Sequence, residues 1–161
     1  MAQAELEYNV ASMRLKGNID GFLIDTLAYS GGRGGTKTAG AANERIINNP
    51  LLSSLKYTKG VKGSIGGPLP SGLYKLMLHS KVNEVKLIPV SVVNNYGRGE
   101  FLIHGRGKIG SQGCIVPQNF NIVQKIYNSV KERQGKNKTP IMIRVYATGD
   151  IDYYLRKIHS A

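Results

Sequence analysis

The segment FLIHGRGKIGSQGCIVPQNF, residues 101–120, contains the side chains best suited to chemistry. An apolar run leads into His104 and Gly105, a glycine-rich stretch follows, and Cys114 opens a second apolar run. The ten-residue separation between His104 and Cys114 allows two strand ends to meet across a returning loop. The segment therefore predicts an imidazole and a thiol at one site.

Cys114 is the only cysteine of the chain, so no disulfide within the chain is expected. A free thiol has a pKa of about 8.5 and is mostly protonated at neutral pH. An imidazolium beside it lowers that pKa and generates the thiolate, and the same histidine then protonates a leaving amine. We therefore predict Cys114 as the nucleophile and His104 as the general base, with a depressed thiol pKa.

Backbone and hydroxyl groups near this pair are candidates for supporting roles. The carbonyl of Gly105 is expected to orient the base, because no acidic residue lies near in the sequence. The N–H groups of Gln112, Gly113 and Cys114 are expected to form an oxyanion hole. Ser111 is expected to supply a supporting hydrogen bond near the thiol.

A zinc site is the main alternative use of a cysteine near a histidine. Such a site needs three or four ligands at suitable spacing. The chain has three histidines, one cysteine and no Cys-x-x-Cys pair. A redox role would lack a resolving cysteine. We therefore expect neither a metal nor another cofactor.

The residues of this segment resemble the catalytic signature of the L,D-transpeptidase family, a His-Gly pair, a spacer and then Ser/Thr-His-Gly-Cys. The matching positions are His104, Gly105, Ser111, Gly113 and Cys114. The chain departs from the family pattern at Gln112, which stands where most members have histidine, and at Val116, where many have arginine or asparagine. Its spacer is also shorter than in housekeeping members.

These departures resemble a smaller branch of the family, the L,D-transpeptidase-like effector toxins of type VI secretion systems. The GPLPSGLY element at 67–74 and Arg98 ahead of the His strand are similar to features of that branch. The resemblance extends over roughly residues 5–130, although only the His-Gly and Ser-x-Gly-Cys positions are specific.

The resemblance implies an acyl-transfer reaction on peptidoglycan stem peptides. Such enzymes attack the carbonyl of the diamino acid at the third stem position, expel D-alanine and form an acyl-enzyme on the cysteine, here Cys114. Water then gives L,D-carboxypeptidase cleavage, a D-amino acid gives exchange, and a second stem gives a crosslink. Gln112 is implied as a substrate or oxyanion contact, and Arg98 and Arg106 as ligands of stem carboxylates.

The resemblance also implies how the protein is used. The N-terminus has neither the basic nor the apolar part of a Sec signal peptide, so delivery by a secretion machine into the periplasm of target bacteria is expected, together with a cognate immunity protein. The alternative is a housekeeping or phage-borne cell-wall enzyme.

The charge of the chain is strongly positive, with 22 Lys and Arg against 10 Asp and Glu, a net charge of +12. This balance indicates an anionic partner such as the bacterial wall. A non-catalytic nucleic-acid-binding module is a less favoured alternative, because the basic residues and tyrosines are scattered and match no nucleic-acid-binding motif. The chain contains no run of about 18 apolar residues, so no membrane span is predicted.

Short apolar runs between glycine-rich turns predict a mainly β domain covering residues 1–161. The family resemblance implies an L,D-transpeptidase-like β-sandwich or barrel with one amphipathic helix after the catalytic cysteine. Helical spacing of apolar residues predicts that helix over Asn119–Arg133, capped by Asn119 or Asn121. The predicted strands are 5–10, 12–16, 22–29, 72–79, 85–92, 100–105, 113–116 and 139–147.

The remaining parts are predicted as turns and loops. Residues 30–67 are expected to be mostly loop, with a short helix within 43–55, and to form a flap beside the site. Turns are expected at Gly17-Asn18 and Asp20-Gly21, and Pro89 predicts an edge or a bulge in its strand. His79 and His159 are expected to be structural or exposed.

Overall fold

The computed structural model describes residues 4–33, 43–58, 61, 64–105, 111 and 113–148. Among these residues the chain is mainly β with one α-helix, as predicted. The strands are β1 (Leu6–Asn9), β2 (Arg14–Ile19), β3 (Phe22–Tyr29), β4 (Gly72–Leu78), β5 (Val85–Ser91), β6 (Leu102–Ile103), β7 (Val116–Pro117) and β8 (Met142–Tyr146). The helix α1 spans Phe120–Gly135.

All eight strands belong to one sheet in the order β6-β5-β4-β8-β1-β2-β3-β7. The two outer strands of this order approach each other, because Ile103 of β6 forms a parallel bridge with Ile115, the residue before β7. The N–H of His104 donates to the carbonyl of Ile115 at 3.1 Å, and the N–H of Ile115 donates to the carbonyl of Leu102 at 2.9 Å. The sheet is therefore nearly closed, and we call the Ile103–Ile115 contact the seam.

The core is one apolar cluster enclosed by the sheet and α1. Alternate side chains of the strands point into it, as the pleat of a β-strand requires. Five residues of α1 that recur at helical spacing are buried: Ile122, Val123, Ile126, Ser129 and Val130. The helix packs against β4, β5 and β7, so its first turn lies close to the seam.

The N-cap of α1 is Asn119, one of the two residues predicted as the cap. Asn119 has an extended backbone, and its side chain accepts a hydrogen bond from the N–H of Asn121 at 3.0 Å. The bulge expected from Pro89 is also present, since Tyr74 pairs with Pro89 while Leu73 pairs with Ser91.

Two local predictions are wrong. Gly17 and Asn18 continue β2 instead of forming a turn, because at Gly17 the neighbouring strand passes so close that a Cβ would lie 2.1 Å from the carbonyl oxygen of Glu5. The helix expected within 43–55 is reduced to a 3-10 turn at Pro50–Leu52. Residues 153–158, which the sequence predicts as a short terminal strand or a helical turn, lie outside the described residues.

Arg133, near the end of α1, ties the helix to the start of β1. Its guanidinium donates to the two carboxylate oxygens of Glu5 at 2.6 Å each and to Asp20 at 2.8 Å. These hydrogen bonds, led by those to Glu5, raise the pKa of Arg133. The hydrogen bond from Arg133 is also the main cause that lowers the pKa of Asp20.

We predict that Arg133→Met lowers the free energy of unfolding by about 1–2 kcal/mol, since it removes a bidentate and largely buried ion pair. Because the pKa of Asp20 is lower in the folded protein, its contribution is present above its unfolded pKa and is lost as pH falls through the folded value. Urea denaturation at neutral and acidic pH measures both effects.

Lys136→Met is the matched control. It removes an exposed pair in which Lys136 lies 2.9 Å from Glu132, and exposed pairs contribute little. Equal losses of stability in the two variants would show that the ion pairs of Arg133 stabilise the fold no more than an exposed pair does.

Candidate active site

The seam places the two predicted catalytic side chains on the same face of the sheet. Ile103 and Ile115 are fully buried and point into the core. Because successive side chains of a strand alternate in direction, the adjacent His104 and Cys114 point to the outer face. The bridge sets Cys114 opposite Leu102. The side chain of Leu102 points outward, as does that of His104 two residues further along the chain. The imidazole and the thiol are therefore diagonal neighbours on adjoining strands.

The environment of the thiol differs from the expectation. Burial raises the pKa of Cys114 to about 11 and the carboxylate of Glu84 adds to that rise, whereas the backbone of Leu102 and the charge of Arg98 oppose it. The predicted depressed pKa is therefore wrong, and the thiol is protonated at neutral pH. The reason is that the lone sulfur is held among protein groups instead of beside an imidazolium.

The imidazole is also uncharged at neutral pH. Burial lowers the pKa of His104, while a hydrogen bond to the backbone of Gly105 and the charge of Glu84 partly oppose this. A backbone contact that favours the protonated ring must be a carbonyl acceptor, so the carbonyl of Gly105 lies where the sequence placed it. The pair is therefore neutral in its resting state, and the imidazole is free to accept a proton during attack.

Gly105 also allows close packing between the His104 turn and α1. A Cβ at this position would lie 2.6 Å from the ring of Phe120 and 3.1 Å from Val123. The start of the helix is thereby brought up against the turn that carries the base. A larger residue at Gly105 would displace one of them.

Ser111 fixes the backbone that leads to the nucleophile. Its hydroxyl donates to the carbonyl of Cys114 at 2.7 Å and accepts from the N–H groups of Gly31 and Gly113 at 3.1 Å each. Its expected hydrogen bond is therefore made to the backbone of Cys114. The side chain is buried, so it shapes the turn from inside.

Gly113 is held in a conformation that favours glycine. Its φ is +135°, and a Cβ would lie 2.2 Å from the guanidinium of Arg98. Its N–H already donates to Ser111, so the prediction that this group points into an oxyanion hole is wrong for this geometry. The N–H of Cys114 donates to none of the described residues. Among the predicted donors that the structure describes, it therefore remains the candidate for an oxyanion hole. Gln112, the third predicted donor, lies outside the described residues.

Arg98 is buried, with only 6% of its surface exposed. Its guanidinium donates to the carbonyls of Ser53, Gly67 and Pro68 and lies 5.3 Å from the centre of the Phe101 ring. These contacts hold Ser53, Gly67 and Pro68 against the segment that leads into β6. Because these donors already have acceptors, the arrangement does not favour the predicted role of Arg98 as a carboxylate ligand.

Buried hydrogen bonds also fix the described part of the region expected to be a flap. Ser30 donates through Oγ to the carbonyl of Gly113 at 3.2 Å and accepts from the N–H of Leu69 at 2.9 Å. Asn48 accepts from the N–H of Ser30 at 3.0 Å and donates to the hydroxyl of Tyr8 at 2.7 Å. Ser30 and Asn48 are therefore fixed in the fold, whereas Lys56 and Tyr57 of the same region line the pocket beside Cys114.

Two pockets flank the pair, one on each side. The pocket on the thiol side has a volume of about 340 Å³. Its lining consists of Lys56, Tyr57, Gly97, Arg98, Gly99, Glu100, Phe101 and Cys114. The pocket on the imidazole side has a volume of about 540 Å³. Its lining consists of Val82, Asn83, Glu84, His104, Gly105, Phe120 and Gln124.

Glu84 is the site residue that the sequence reasoning missed. It lies twenty residues before His104 in the chain but lines the same pocket. The predicted hairpin of 72–79 and 85–92 does place Glu84 at the start of a strand, but the sequence does not show which strand pairs beside it. His79 is half-buried, with Nδ1 3.9 Å from Glu84. Arg106 and His159 lie outside the described residues.

Comparisons of the whole chain with protein-family models, curated proteins and solved structures give no match. Among the described residues, no three His, Cys, Asp or Glu side chains are grouped so that they could hold a metal ion. In the same part of the chain, no helix combines the length and apolar character needed to cross a bilayer. A functional assignment therefore depends on the geometry of the Cys114–His104 pair.

We predict that the rate of alkylation of folded Cys114 by iodoacetamide rises with pH through a midpoint of about 11, because burial disfavours the thiolate. Mass spectrometry reports this rate without interference, since the chain has one cysteine. The same protein in urea is the control and is expected to show a midpoint of about 8.5. A folded midpoint at or below the value in urea would contradict the assignment of a neutral resting thiol.

Proposed function

We propose that the protein is a cysteine acyl-transfer enzyme that acts on peptidoglycan stem peptides as an L,D-carboxypeptidase and an L,D-transpeptidase or D-amino acid exchange enzyme. The observation that carries the proposal is the seam, which sets His104 and Cys114 on one outer face between two pockets. The identity of the substrate is supported by the resemblance of this segment to the L,D-transpeptidase signature.

The first half of the proposed reaction follows from the neutral pair. The imidazole of His104 takes the thiol proton as Sγ of Cys114 attacks the carbonyl of the diamino acid at the third stem position. In this proposal the N–H of Cys114 stabilises the oxyanion. Collapse of the tetrahedral intermediate transfers the proton from the imidazolium to the departing D-alanine and leaves an acyl-enzyme.

In the second half, His104 deprotonates the acceptor. Water yields the tripeptide, a D-amino acid yields the exchanged tetrapeptide, and the amine of a second stem yields a crosslink. In each case the thiol recovers its proton from His104 as it leaves. This pathway needs no cofactor, since every proton moves between the imidazole, the sulfur and the substrate.

The thiol-side pocket suits a stem peptide, which carries carboxylates. Lys56 lies on its rim and is exposed, whereas Arg98 is already engaged by backbone carbonyls. We therefore assign to Lys56 the carboxylate-binding role that was predicted for Arg98. For Arg106, which lies outside the described residues, that role stays a prediction.

The wider proposal is an L,D-transpeptidase-like fold used as an antibacterial effector. The nearly closed sheet followed by a helix after Cys114 agrees with this fold type. A net charge of +12 suits an anionic wall. Delivery by a secretion machine into the periplasm of a rival, and a cognate immunity protein, belong to the same proposal through the resemblance to type VI effectors.

We predict that the purified protein releases D-alanine from disaccharide tetrapeptide, and that both Cys114→Ala and His104→Ala abolish the release. The first variant lacks the nucleophile, and the second loses general acid and base catalysis worth about 10²–10⁴-fold. Mass spectrometry of the muropeptides measures the product. Unchanged tetrapeptide after incubation with the wild-type protein would refute the proposed function.

We further predict that Lys56→Gln raises KM for tetrapeptide by up to about fivefold with little change in kcat, since an exposed ion pair is worth up to about 1 kcal/mol. Lys16→Gln, an exposed substitution on β2 with the same change of charge, is the control and is expected to leave KM unchanged. Equal effects of the two variants would mean that Lys56 contributes only through the overall charge.

A further inference from the structure

The register of the sheet places Glu84 directly beside His104. In the antiparallel pairing of β5 with β6, Val85 lies opposite Ile103 and Lys86 lies opposite Leu102. The next pair in this register is Glu84 and His104. Residues directly opposite in an antiparallel pair have Cβ atoms about 4.5–5.5 Å apart, so the carboxylate and the imidazole are within reach of each other.

Both side chains leave the sheet on the same side. Val85 and Ile103 are fully buried and point inward, so Glu84 and His104, one residue away in each strand, point outward. They line the same pocket on that outer face. The Glu84 side chain is 22% exposed, which leaves it partly shielded from water.

The row of titratable groups continues across β4. Leu78 pairs with Val85, so His79 comes opposite Glu84, and its N–H donates to the carbonyl of Glu84 at 3.3 Å. The Nδ1 atom of His79 lies 3.9 Å from the Glu84 carboxylate. Glu84 is therefore flanked by one histidine on each neighbouring strand.

We propose that Glu84 is a positioning residue for His104: its carboxylate holds the imidazole in place and stabilises the imidazolium that forms when the thiol is deprotonated. The kinetic part of this inference rests on the proposed acyl-transfer function. The proton moves from Sγ of Cys114 to the imidazole and then to the leaving amine.

The charges around the pair explain why the carboxylate helps the reaction. Glu84 faces His104 from β5, the carbonyl of Gly105 contacts the ring, and Arg98 acts on Cys114 from the opposite side. The negative charge of Glu84 favours the imidazolium but disfavours a resting thiolate. Once sulfur has bonded to the substrate, the negative charge moves to the carbonyl oxygen, and only the favourable effect on the imidazolium remains.

The test begins with a pH titration of His104 in the full chain, monitored by NMR of the imidazole nitrogens. Glu84→Gln is expected to lower the titration midpoint of His104, because it removes a charge that raises the pKa of that group. Glu7→Gln, an exposed substitution on β1 with the same change of charge, is the control and is expected to leave the midpoint unchanged. Spectra of His79→Gln and His104→Gln assign the signals.

The second readout is the pH dependence of kcat/KM for D-alanine release. The base must be neutral to accept the thiol proton, so the acidic limb reports the pKa of His104. Glu84→Gln is expected to move that limb to lower pH and to reduce kcat by about 10–100-fold, while Glu84→Asp keeps the charge and the position of the limb. A residue with only a structural role would not move the limb.

The outcomes separate the two proposals. A His104 midpoint that is the same in Glu84→Gln and wild type overturns the role of Glu84, whatever the activity. A lowered midpoint in a protein that releases no D-alanine keeps the Glu84–His104 coupling and refutes the proposed substrate. If Glu84→Gln does not fold, Glu84→Thr, whose side chain suits a position at the start of a strand, is titrated in its place and is judged by the same comparison of His104 midpoints.

Discussion

The geometry of the site depends on one backbone contact, the parallel bridge between Ile103 and Ile115 that joins the two ends of the sheet. Both side chains are fully buried, and this fixes the direction of every neighbour in the two segments. A slip of one residue would turn His104 or Cys114 into the core. The core therefore selects the register, and the register brings an imidazole and a thiol to the same outer face.

The backbone around Cys114 is held by buried polar side chains. Ser30 and Ser111 together bind the carbonyls of Gly113 and Cys114, and Arg98 binds three carbonyls on the segment beneath. Unsatisfied buried polar groups are costly, so these contacts leave the turn before Cys114 little freedom. Catalytic groups need such rigid support, because small errors of position reduce rates strongly. The same enclosure removes water from the sulfur and explains why its pKa is raised.

The sequence was sufficient for features that depend on local patterns. Alternation and helical spacing identified most strands and the helix with its Asn119 cap, and the spacing of His104 and Cys114 identified the candidate pair. Features that depend on which strands pair could not be predicted from the sequence. Glu84 is next to His104 only through the register of β5 with β6, and the contacts of Arg98 with Ser53, Gly67 and Pro68 form only in the folded chain. The predicted turn at Gly17 failed for a related reason, because the glycine serves the close approach of β1 and not a reversal of the chain.

The two pKa shifts at the Cys114–His104 pair point in directions that keep both groups neutral, and this determines the order of events in the proposed reaction. Burial raises the pKa of Cys114 and lowers that of His104, so a preformed thiolate–imidazolium pair is disfavoured at neutral pH. Deprotonation then has to accompany attack on the substrate, when the charge leaving sulfur can pass to the carbonyl oxygen. A thiol that becomes nucleophilic only as the substrate carbonyl arrives is also protected from oxidation, since susceptibility follows thiolate character and exposure. In the proposed mechanism, that protection keeps the single cysteine of the chain intact until a substrate binds.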